Sequence, residues 1–266
     1  MEEPQLRLKA KKHFGQHFLV APDAIRRISE AALALPAEGI IEIGPGGGVL
    51  TTPLLEDGRP LFAVELDPEA AGLLRVRFGG LPHFHLLEGD AVRIPFPKGG
   101  PWSVVGNLPY NAATAILTRF LVEPIPWSGM VFMFQLEVGR KLTGTPGQKD
   151  YGPLSVLVQL CARVERVIKL GPGAFLPRPK VDSIVLAFHP DPDGPAHSER
   201  KPLLEFLHLC FAHRRKTLAN NLAARFPGAR AQAACEAAGI HAGIRAEGLG
   251  PRDLLTLFRG LNTPGG

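Results

Sequence analysis

Short apolar runs alternate with amphipathic stretches through the first two thirds of the chain. Five near-continuous apolar runs predict strands that are buried on both faces, as in a parallel sheet: 40–44, 61–66, 84–90, 102–107 and 129–135. The stretches between them predict helices at 49–57, 67–78 and 111–123. Asp67 followed by Pro68 is typical of a helix start, with an N-cap acceptor before a first-turn proline. The alternation predicts a doubly wound α/β sheet.

The rest of the chain divides into a strand-like part and a helical part. Residues 162–170 and 183–189 predict the last two strands of the sheet. The sequence does not decide whether these two strands run parallel or antiparallel to the others. Residues 191–200 are rich in Pro, Asp, Gly and Ser, which is typical of a linker. Only helix-like patterns follow. We therefore expect two domains, an α/β domain over 1–190 and a small all-helical domain over 196–266.

Length and composition exclude several classes of protein. A chain of 266 residues that is 45% hydrophobic can bury a core in one large domain or two unequal ones. No apolar run reaches the roughly 18 residues that span a bilayer, and the basic start lacks the apolar region of a signal peptide. Cys161, Cys210 and Cys235 have neither disulfide nor zinc spacing, so we expect buried thiols, a reducing cytoplasm and no metal.

The excess of positive charge lies in the last quarter of the chain. Residues 201–266 hold 9 Lys and Arg against 4 Asp and Glu, whereas the rest of the chain holds 21 of each. This asymmetry suggests an anionic partner such as nucleic acid, and charge alone leaves a basic surface kept for solubility as an equal alternative. A basic arm that orders on RNA or cofactor binding is expected at Arg7, Lys9, Lys11 and Lys12.

Three predicted strands end in residues that suit an adenosine-type cofactor. The first runs into the glycine-rich turn Gly44–Gly48, which permits a close approach of a ligand to the backbone. Glu65 ends the second strand, 21 residues after Gly44, where a carboxylate can accept from both ribose hydroxyls. Asp90 ends the third, where it can accept from the amine of an adenine. The third glycine of the turn comes one residue earlier than in G-x-G-x-x-G, which disfavours a dinucleotide.

The fourth strand ends in Asn107, Leu108, Pro109 and Tyr110, which suit methylation of an exocyclic amine. The lone pair of adenine N6 is delocalised into the ring, so the amine is a poor nucleophile. The Asn107 side-chain oxygen and the Leu108 carbonyl, aimed by Pro109, can accept both amine hydrogens and stabilise positive charge on nitrogen. Tyr110 offers a ring on which the base can stack. This chemistry needs neither a metal nor a general base.

These residues resemble the ribosomal RNA adenine N6,N6-dimethyltransferases of the KsgA/RsmA type. Further segments are similar to motifs of that family over most of the chain, from Lys11 to Arg259: 11–20, 134–159, 175–183 and 211–222. The resemblance implies a Rossmann-like methyltransferase sheet and S-adenosylmethionine as cofactor. It implies that Gln16, His17 and Leu19 close over the methionine end of the cofactor, although the family often has Asn where His17 stands. The residues that it places on the cofactor are Gly44, Gly46, Glu65, Leu66, Asp90, Ala91 and Asn107.

The resemblance also implies an RNA-facing surface. Phe175 lies in a target-loop motif in which the aromatic ring stacks on a flipped adenine. The prolines around it predict a loop that presents Phe175, Arg178 and Lys180 outward, and the alternative is a connector whose phenylalanine packs in the core. Phosphate contacts are expected from two groups of cations: Arg178 and Lys180 in the loop, and Arg214, Arg215 and Lys216 in the helical domain.

The function implied is dimethylation of N6 on two adjacent adenosines in a hairpin loop near the 3′ end of 16S ribosomal RNA. The expected partner is the 30S particle. The protein is expected to be a cytoplasmic monomer that also acts in small-subunit biogenesis. The alternatives are an erythromycin-resistance-type methyltransferase of 23S ribosomal RNA and an assembly factor with little catalysis. An NAD-dependent dehydrogenase is disfavoured, since no hydride-site acid is evident and the Asn107–Tyr110 turn would have no role.

Overall fold

The computed structural model describes residue 11, residues 16–241 and residues 243–262. Of the expected basic arm, Arg7, Lys9 and Lys12 lie outside the described residues, and Lys11 lies within them. Within these ranges, no helix has the length and apolar character needed to cross a membrane.

The strands of the described residues are β1 (Phe18–Leu19), β2 (Gly39–Ile43), β3 (Leu61–Glu65), β4 (Phe84–Glu88), β5 (Trp102–Asn107), β6 (Trp127–Gln135), β7 (Ala162–Leu170), β8 (Phe175–Leu176) and β9 (Ser183–Pro190). Seven of these strands form one sheet, in the order β4-β3-β2-β5-β6-β9-β7. A separate pair joins β1 to β8. Strands β2 to β6 pair in parallel, and β9 runs antiparallel to β6. The predicted doubly wound α/β fold is confirmed.

Helices connect the strands and make up the C-terminal part of the chain. They are α1 (Pro22–Leu33), α2 (Thr51–Leu55), α3 (Pro68–Phe78), α4 (Ala113–Val122), α5 (Leu136–Leu142), α6 (Pro153–Cys161), α7 (His197–Cys210), α8 (Leu218–Leu222), α9 (Gly228–Ala237) and α10 (Pro251–Asn262). The predicted start of α3 is confirmed, since the Asp67 side chain accepts from the backbone N–H of Glu69 at 3.0 Å. Strand β2 is buried at all five positions, as its apolar run predicts.

The chain divides into two compact units. One comprises 1–120, 124–139 and 164–190, and the other comprises 121–123, 140–163 and 191–266. The second unit is larger than the predicted 196–266 domain because α6 packs against α7 and α10. The helical pattern predicted after the linker is interrupted between α7 and α8, where the Asn221 amide donates to the carbonyls of Cys210 and His213 at 2.8 and 3.2 Å. The first of these bonds satisfies the Cys210 carbonyl at the end of α7, which the helix leaves unpaired.

Candidate functional site

A cavity of about 1110 Å³ lies at the carboxyl ends of β2, β3, β4 and β5, in the first unit. Strand β2 lies between β3 and β5, so the chain reverses its winding direction beside β2, where open α/β sheets bind ligands. All of the predicted cofactor residues and the predicted catalytic turn line this cavity: Gln16, His17, Leu19, Gly44, Gly46, Glu65, Leu66, Asp90, Ala91, Asn107, Leu108, Pro109 and Tyr110. The fold thus brings these thirteen positions together, and their individual roles stay predictions.

The glycine-rich turn and Glu65 form one hydrogen-bonded unit. Gly44 and Gly46 have φ angles of +67° and +55°. Residues with a side chain rarely adopt this left-handed conformation, so glycine is favoured at both positions. This conformation directs the N–H of Gly46 to one carboxylate oxygen of Glu65 at 2.9 Å, and the N–H of Asp67 donates to the other at 2.9 Å. Burial raises the pKa of Glu65, and the backbone donors partly offset that rise. Glu65 is therefore held in a fixed position at the cavity wall.

The turn after β4 is held by its own carboxylate and by an arginine of α4. One oxygen of Asp90 accepts from the N–H of Val92 at 2.9 Å, which closes the turn. The Ala91 carbonyl accepts from Arg119 at 2.8 Å, and the same guanidinium lies 4.5 Å from the centre of the Phe96 ring. Arg119 could not be identified from the sequence, because a single arginine in an apolar helix does not show which carbonyl it reaches.

The turn after β5 is fixed from three sides. The side-chain Nδ2 of Asn107 donates to the His17 carbonyl at 2.9 Å, which leaves Oδ1 as the accepting end of the amide. The Leu108 side chain is buried and anchors the turn in the first unit. The Tyr110 hydroxyl lies 2.7 Å from the Ser183 hydroxyl. Burial raises the pKa of Tyr110, so its phenol is neutral at physiological pH.

Gln16 holds two charged neighbours beside the cavity. Its carbonyl oxygen accepts from the backbone N–H of Lys11 at 2.9 Å, and its amide donates to Asp67 at 3.1 Å. The Lys11 ammonium lies 2.6 Å from the other oxygen of Asp67. Although burial alone would raise the pKa of Asp67, the hydrogen bonds from Lys11 and Gln16 lower it. Contact of Gln16 with a cofactor stays a prediction.

Phe175 is not presented outward, and the expectation that it would be is wrong. In the β1–β8 pair, Phe175 lies opposite Leu19 and Leu176 lies opposite Phe18. Alternate residues of a strand face opposite sides. Phe175 is 2% exposed and belongs to the core with Leu19, whereas Leu176 is 66% exposed and lines the cavity. For Phe175 to stack on a base, its ring has to leave the core.

Replacing Phe175 with alanine is expected to lower the free energy of unfolding by about 3–5 kcal/mol, because the change removes a buried ring and leaves a cavity. Replacing Leu176 with alanine is the matched control, and its effect should stay within about 0.5 kcal/mol because that side chain is exposed. Urea unfolding of both variants measures the difference. Equal stability of the two variants would contradict burial of the ring.

The cations predicted to contact RNA differ in their surroundings. Arg178, Lys180, Arg215 and Lys216 are exposed. Arg214 is also exposed, but it donates to Glu247 at 3.0 Å and to the Lys149 carbonyl at 2.6 Å, so partners within the protein already hold it. The phosphate contacts of all five stay predictions. The three cysteines are buried and unpaired as predicted, and no group of three His, Cys, Asp or Glu among the described residues is arranged to hold a metal ion.

Glu42 is a functional candidate that the sequence analysis missed. It is the only charged residue of the β2 run, lines the cavity and is 1% exposed. The Thr51 hydroxyl donates to its carboxyl group at 2.7 Å. Burial raises the pKa of Glu42 to about 8, so the carboxyl group is mostly protonated at neutral pH. The sequence signal that could have identified Glu42 is a single acidic residue in the middle of an apolar strand.

Replacing Glu42 with glutamine is expected to flatten the pH dependence of stability. The folded protein retains a proton that the unfolded chain releases near pH 4.5, so stability falls as pH rises toward about 8. Relative to Glu42→Gln, the free energy of unfolding of the wild type should fall by up to about 1.4 kcal/mol per pH unit in this window. Urea unfolding at pH 5, 6.5 and 8 measures this difference, and parallel pH profiles would contradict a protonated Glu42.

Comparisons with known proteins point in one direction. Residues 7–263 match a family described as ribosomal RNA adenine dimethylase. The chain is 40% identical over 250 residues to a ribosomal RNA small subunit methyltransferase A from Pseudomonas fluorescens, covering 92% of this chain and 91% of the relative. It is 41% identical over 265 residues to the protein of the same name from Acidobacterium capsulatum, covering 95% and 92%.

Two solved structures share the fold over nearly the whole chain. A dimethyladenosine transferase from Plasmodium falciparum superimposes with a TM-score of 0.76 at 23% identity, covering 91% of this chain and 96% of that chain. The 23S ribosomal RNA methyltransferase ErmE superimposes with a TM-score of 0.70 at 30% identity, covering 92% and 100%. The first of these supports the fold alone, because its sequence identity is low.

Proposed function

The chain belongs to the ribosomal RNA adenine dimethylase family, and from that premise we propose that it transfers methyl groups from S-adenosylmethionine to adenine N6 in small-subunit ribosomal RNA. As a member of that family it is an RNA adenine dimethylating enzyme. The observation that carries the proposal is the single cavity in which Glu65, Asp90 and the turn from Asn107 to Tyr110 lie together. A cofactor site and an amine-binding turn share this space.

The lining of the cavity fits S-adenosylmethionine. Most of the large apolar side chains that are exposed among the described residues line this cavity: Val20, Val49, Leu66, Val76 and Leu176. Exposed apolar surface concentrated in one cavity is typical of a ligand site, and an adenine ring would cover part of it. Beside these groups, Glu65 supplies acceptors for ribose hydroxyls and Asp90 supplies an acceptor for the adenine amine. Gly44 and Gly46 line the cavity without side chains, so a ligand can approach their backbone.

When bound, S-adenosylmethionine supplies an electrophilic methyl group on a positively charged sulfur. The protein's own contribution is to hold the amine of the target base. The Asn107 oxygen and the Leu108 carbonyl accept the two N6 hydrogens, which favours pyramidal nitrogen and frees its lone pair for attack. Transfer of that methyl group to N6 would leave the sulfur of the cofactor as a neutral thioether, and the alkylated amine would lose a proton to water. Tyr110 stacks on the base that has left its helix.

The substrate proposed is a pair of adjacent adenosines in the hairpin loop near the 3′ end of 16S ribosomal RNA, within the 30S particle. Two names of relatives, both for the small subunit, support this assignment. Exposed Arg178, Lys180, Arg215 and Lys216 would neutralise RNA phosphates in both units. We propose that the protein acts as a cytoplasmic monomer and also takes part in small-subunit biogenesis.

Methylation of large-subunit RNA is the second candidate, because the structure of a 23S ribosomal RNA methyltransferase superimposes over 92% of this chain. The test incubates the protein with labelled S-adenosylmethionine and with undermethylated small or large subunits, and then locates the modified bases. Two dimethylated adenosines in small-subunit RNA support the proposal. Label only in large-subunit RNA would show that the second candidate is correct. Binding to small subunits without any transfer of label would support a role in assembly without methylation.

A further inference from the structure

His17 joins the amine-binding turn to the target loop. Its ring Nδ1 lies 2.8 Å from the carbonyl oxygen of Pro177. Its ring centre lies 5.4 Å from that of Tyr110, with the two planes inclined by 30°. Its backbone carbonyl accepts from Asn107. His17 therefore contacts three groups: the Pro177 carbonyl, the Tyr110 ring and the Asn107 side chain.

The Pro177 contact defines the protonation of the His17 ring. A carbonyl oxygen can only accept a hydrogen bond, so Nδ1 carries the proton and donates it. In the neutral ring, Nε2 is then the unprotonated nitrogen. The ring is thus fixed at one end to Pro177 and packed on one side against Tyr110. Both of these contacts are with residues of the proposed acceptor site and the target loop.

We propose that His17 is a positioning residue for the acceptor base, which it serves by holding the loop after β8 at a fixed distance from Tyr110 and Asn107. The bond to Pro177 fixes the start of the target loop, and the ring packs against Tyr110. This inference rests on the proposed function. It differs from the cofactor contact that the family resemblance implies for His17.

The surrounding backbone should survive a change at His17. Strands β1 and β8 remain paired through Phe18 and Leu19, and the N–H of Val20 donates to the Ala174 carbonyl at 2.9 Å. Leu19 stays in the core. A truncated side chain at 17 therefore removes the bond to Pro177 and the ring on Tyr110 while the two segments stay adjacent.

The test compares the wild type with His17→Ala and His17→Asn. Asn carries its amide nitrogen the same number of bonds from the backbone as Nδ1 of His, so it can donate to Pro177 but cannot cover Tyr110. At saturating S-adenosylmethionine, His17→Ala should lower kcat/KM for undermethylated small subunits about tenfold, the upper end for one neutral hydrogen bond. His17→Asn should recover most of that loss. Calorimetry should give a cofactor Kd within about twofold of the wild type for both variants, because neither lost contact is to the cofactor.

A second readout uses the protein without cofactor or RNA. The ¹⁵N signal of His17, assigned by its disappearance in His17→Asn, should show a protonated Nδ1. A tenfold loss of cofactor affinity in His17→Ala with unchanged acceptor kinetics would overturn the inference, as would activity in His17→Asn as low as in His17→Ala. If the wild type methylates no small-subunit RNA, the proposed function fails, and the ¹⁵N signal still tests the Pro177 contact.

Discussion

Replacing Asn107 with alanine is expected to lower kcat roughly 100-fold, because the change removes a fixed acceptor that acts where charge develops in the transition state. The Kd for S-adenosylmethionine should change by less than about threefold, since Glu65 and the glycine-rich turn remain in place. Single-turnover methylation of small subunits measures the first effect, and calorimetry measures the second. The separation of the two effects identifies Asn107 as a group that acts on the amine.

Asn107→Asp is the matched variant for this prediction. It keeps an acceptor oxygen, but it loses the donor that bonds to the His17 carbonyl at 2.9 Å. A carboxylate oxygen facing that carbonyl is repelled, so the side chain should turn away from its position in the wild type. We expect kcat between those of the wild type and the alanine variant. Wild-type kcat in Asn107→Ala would remove Asn107 from the mechanism.

The residues at strand ends could be predicted from the sequence because parallel strands impose the geometry. Once β2, β3, β4 and β5 are recognised as parallel, their carboxyl ends must meet at one edge of the sheet. Gly44, Glu65, Asp90 and Asn107 each follow or end such a run, so their meeting in one cavity follows from the alternation pattern alone. This part of the site needs no knowledge of how side chains pack.

Phe175 and Glu42 could not be placed correctly in the same way. Strand β8 has two residues, which is too short for a visible alternation, so the pairing of Phe175 with Leu19 depends on a tertiary contact. The prolines after it predict a loop but not the direction of the ring before them. Glu42 lies in a run whose apolar neighbours are buried, yet burial of an acid depends on a partner, and Thr51 is nine positions away.

The division into two units was also only partly predictable. Helix α1 carries a readable signal, since Ala24, Ile28 and Ala32 are buried at intervals of four residues. Helix α6 is buried at most positions, so its sequence shows no face that indicates a partner. Its assignment to the unit that contains 191–266 comes from packing against α7 and α10. Local patterns predict elements, whereas membership of a unit depends on contacts distant in sequence.

Replacing Glu65 is expected to produce the opposite kinetic signature to that of Asn107→Ala. In Glu65→Ala, the Kd for S-adenosylmethionine should rise roughly 10- to 100-fold, because charge-assisted hydrogen bonds to the ribose contribute about 1.5–3 kcal/mol. At saturating cofactor, kcat should return to within a few-fold of the wild type, since the amine-binding turn is intact. Calorimetry gives the Kd, and methylation at increasing cofactor concentration gives kcat.

Glu65→Gln should lose both affinity and stability, although it has nearly the same volume. The two carboxylate oxygens accept from the N–H groups of Gly46 and Asp67, and an amide would turn its own NH₂ toward one of these donors. A buried donor without an acceptor costs about 1–3 kcal/mol in the free energy of unfolding. Glu88→Gln is the control: Glu88 lies opposite Glu65 on β4, but it is exposed and pairs with Arg75 at the surface, so little should change. If Glu65→Gln matched Glu88→Gln in both stability and Kd, the fixed carboxylate would have no role in holding the cofactor, and the methyl donor would have to be held elsewhere in the cavity.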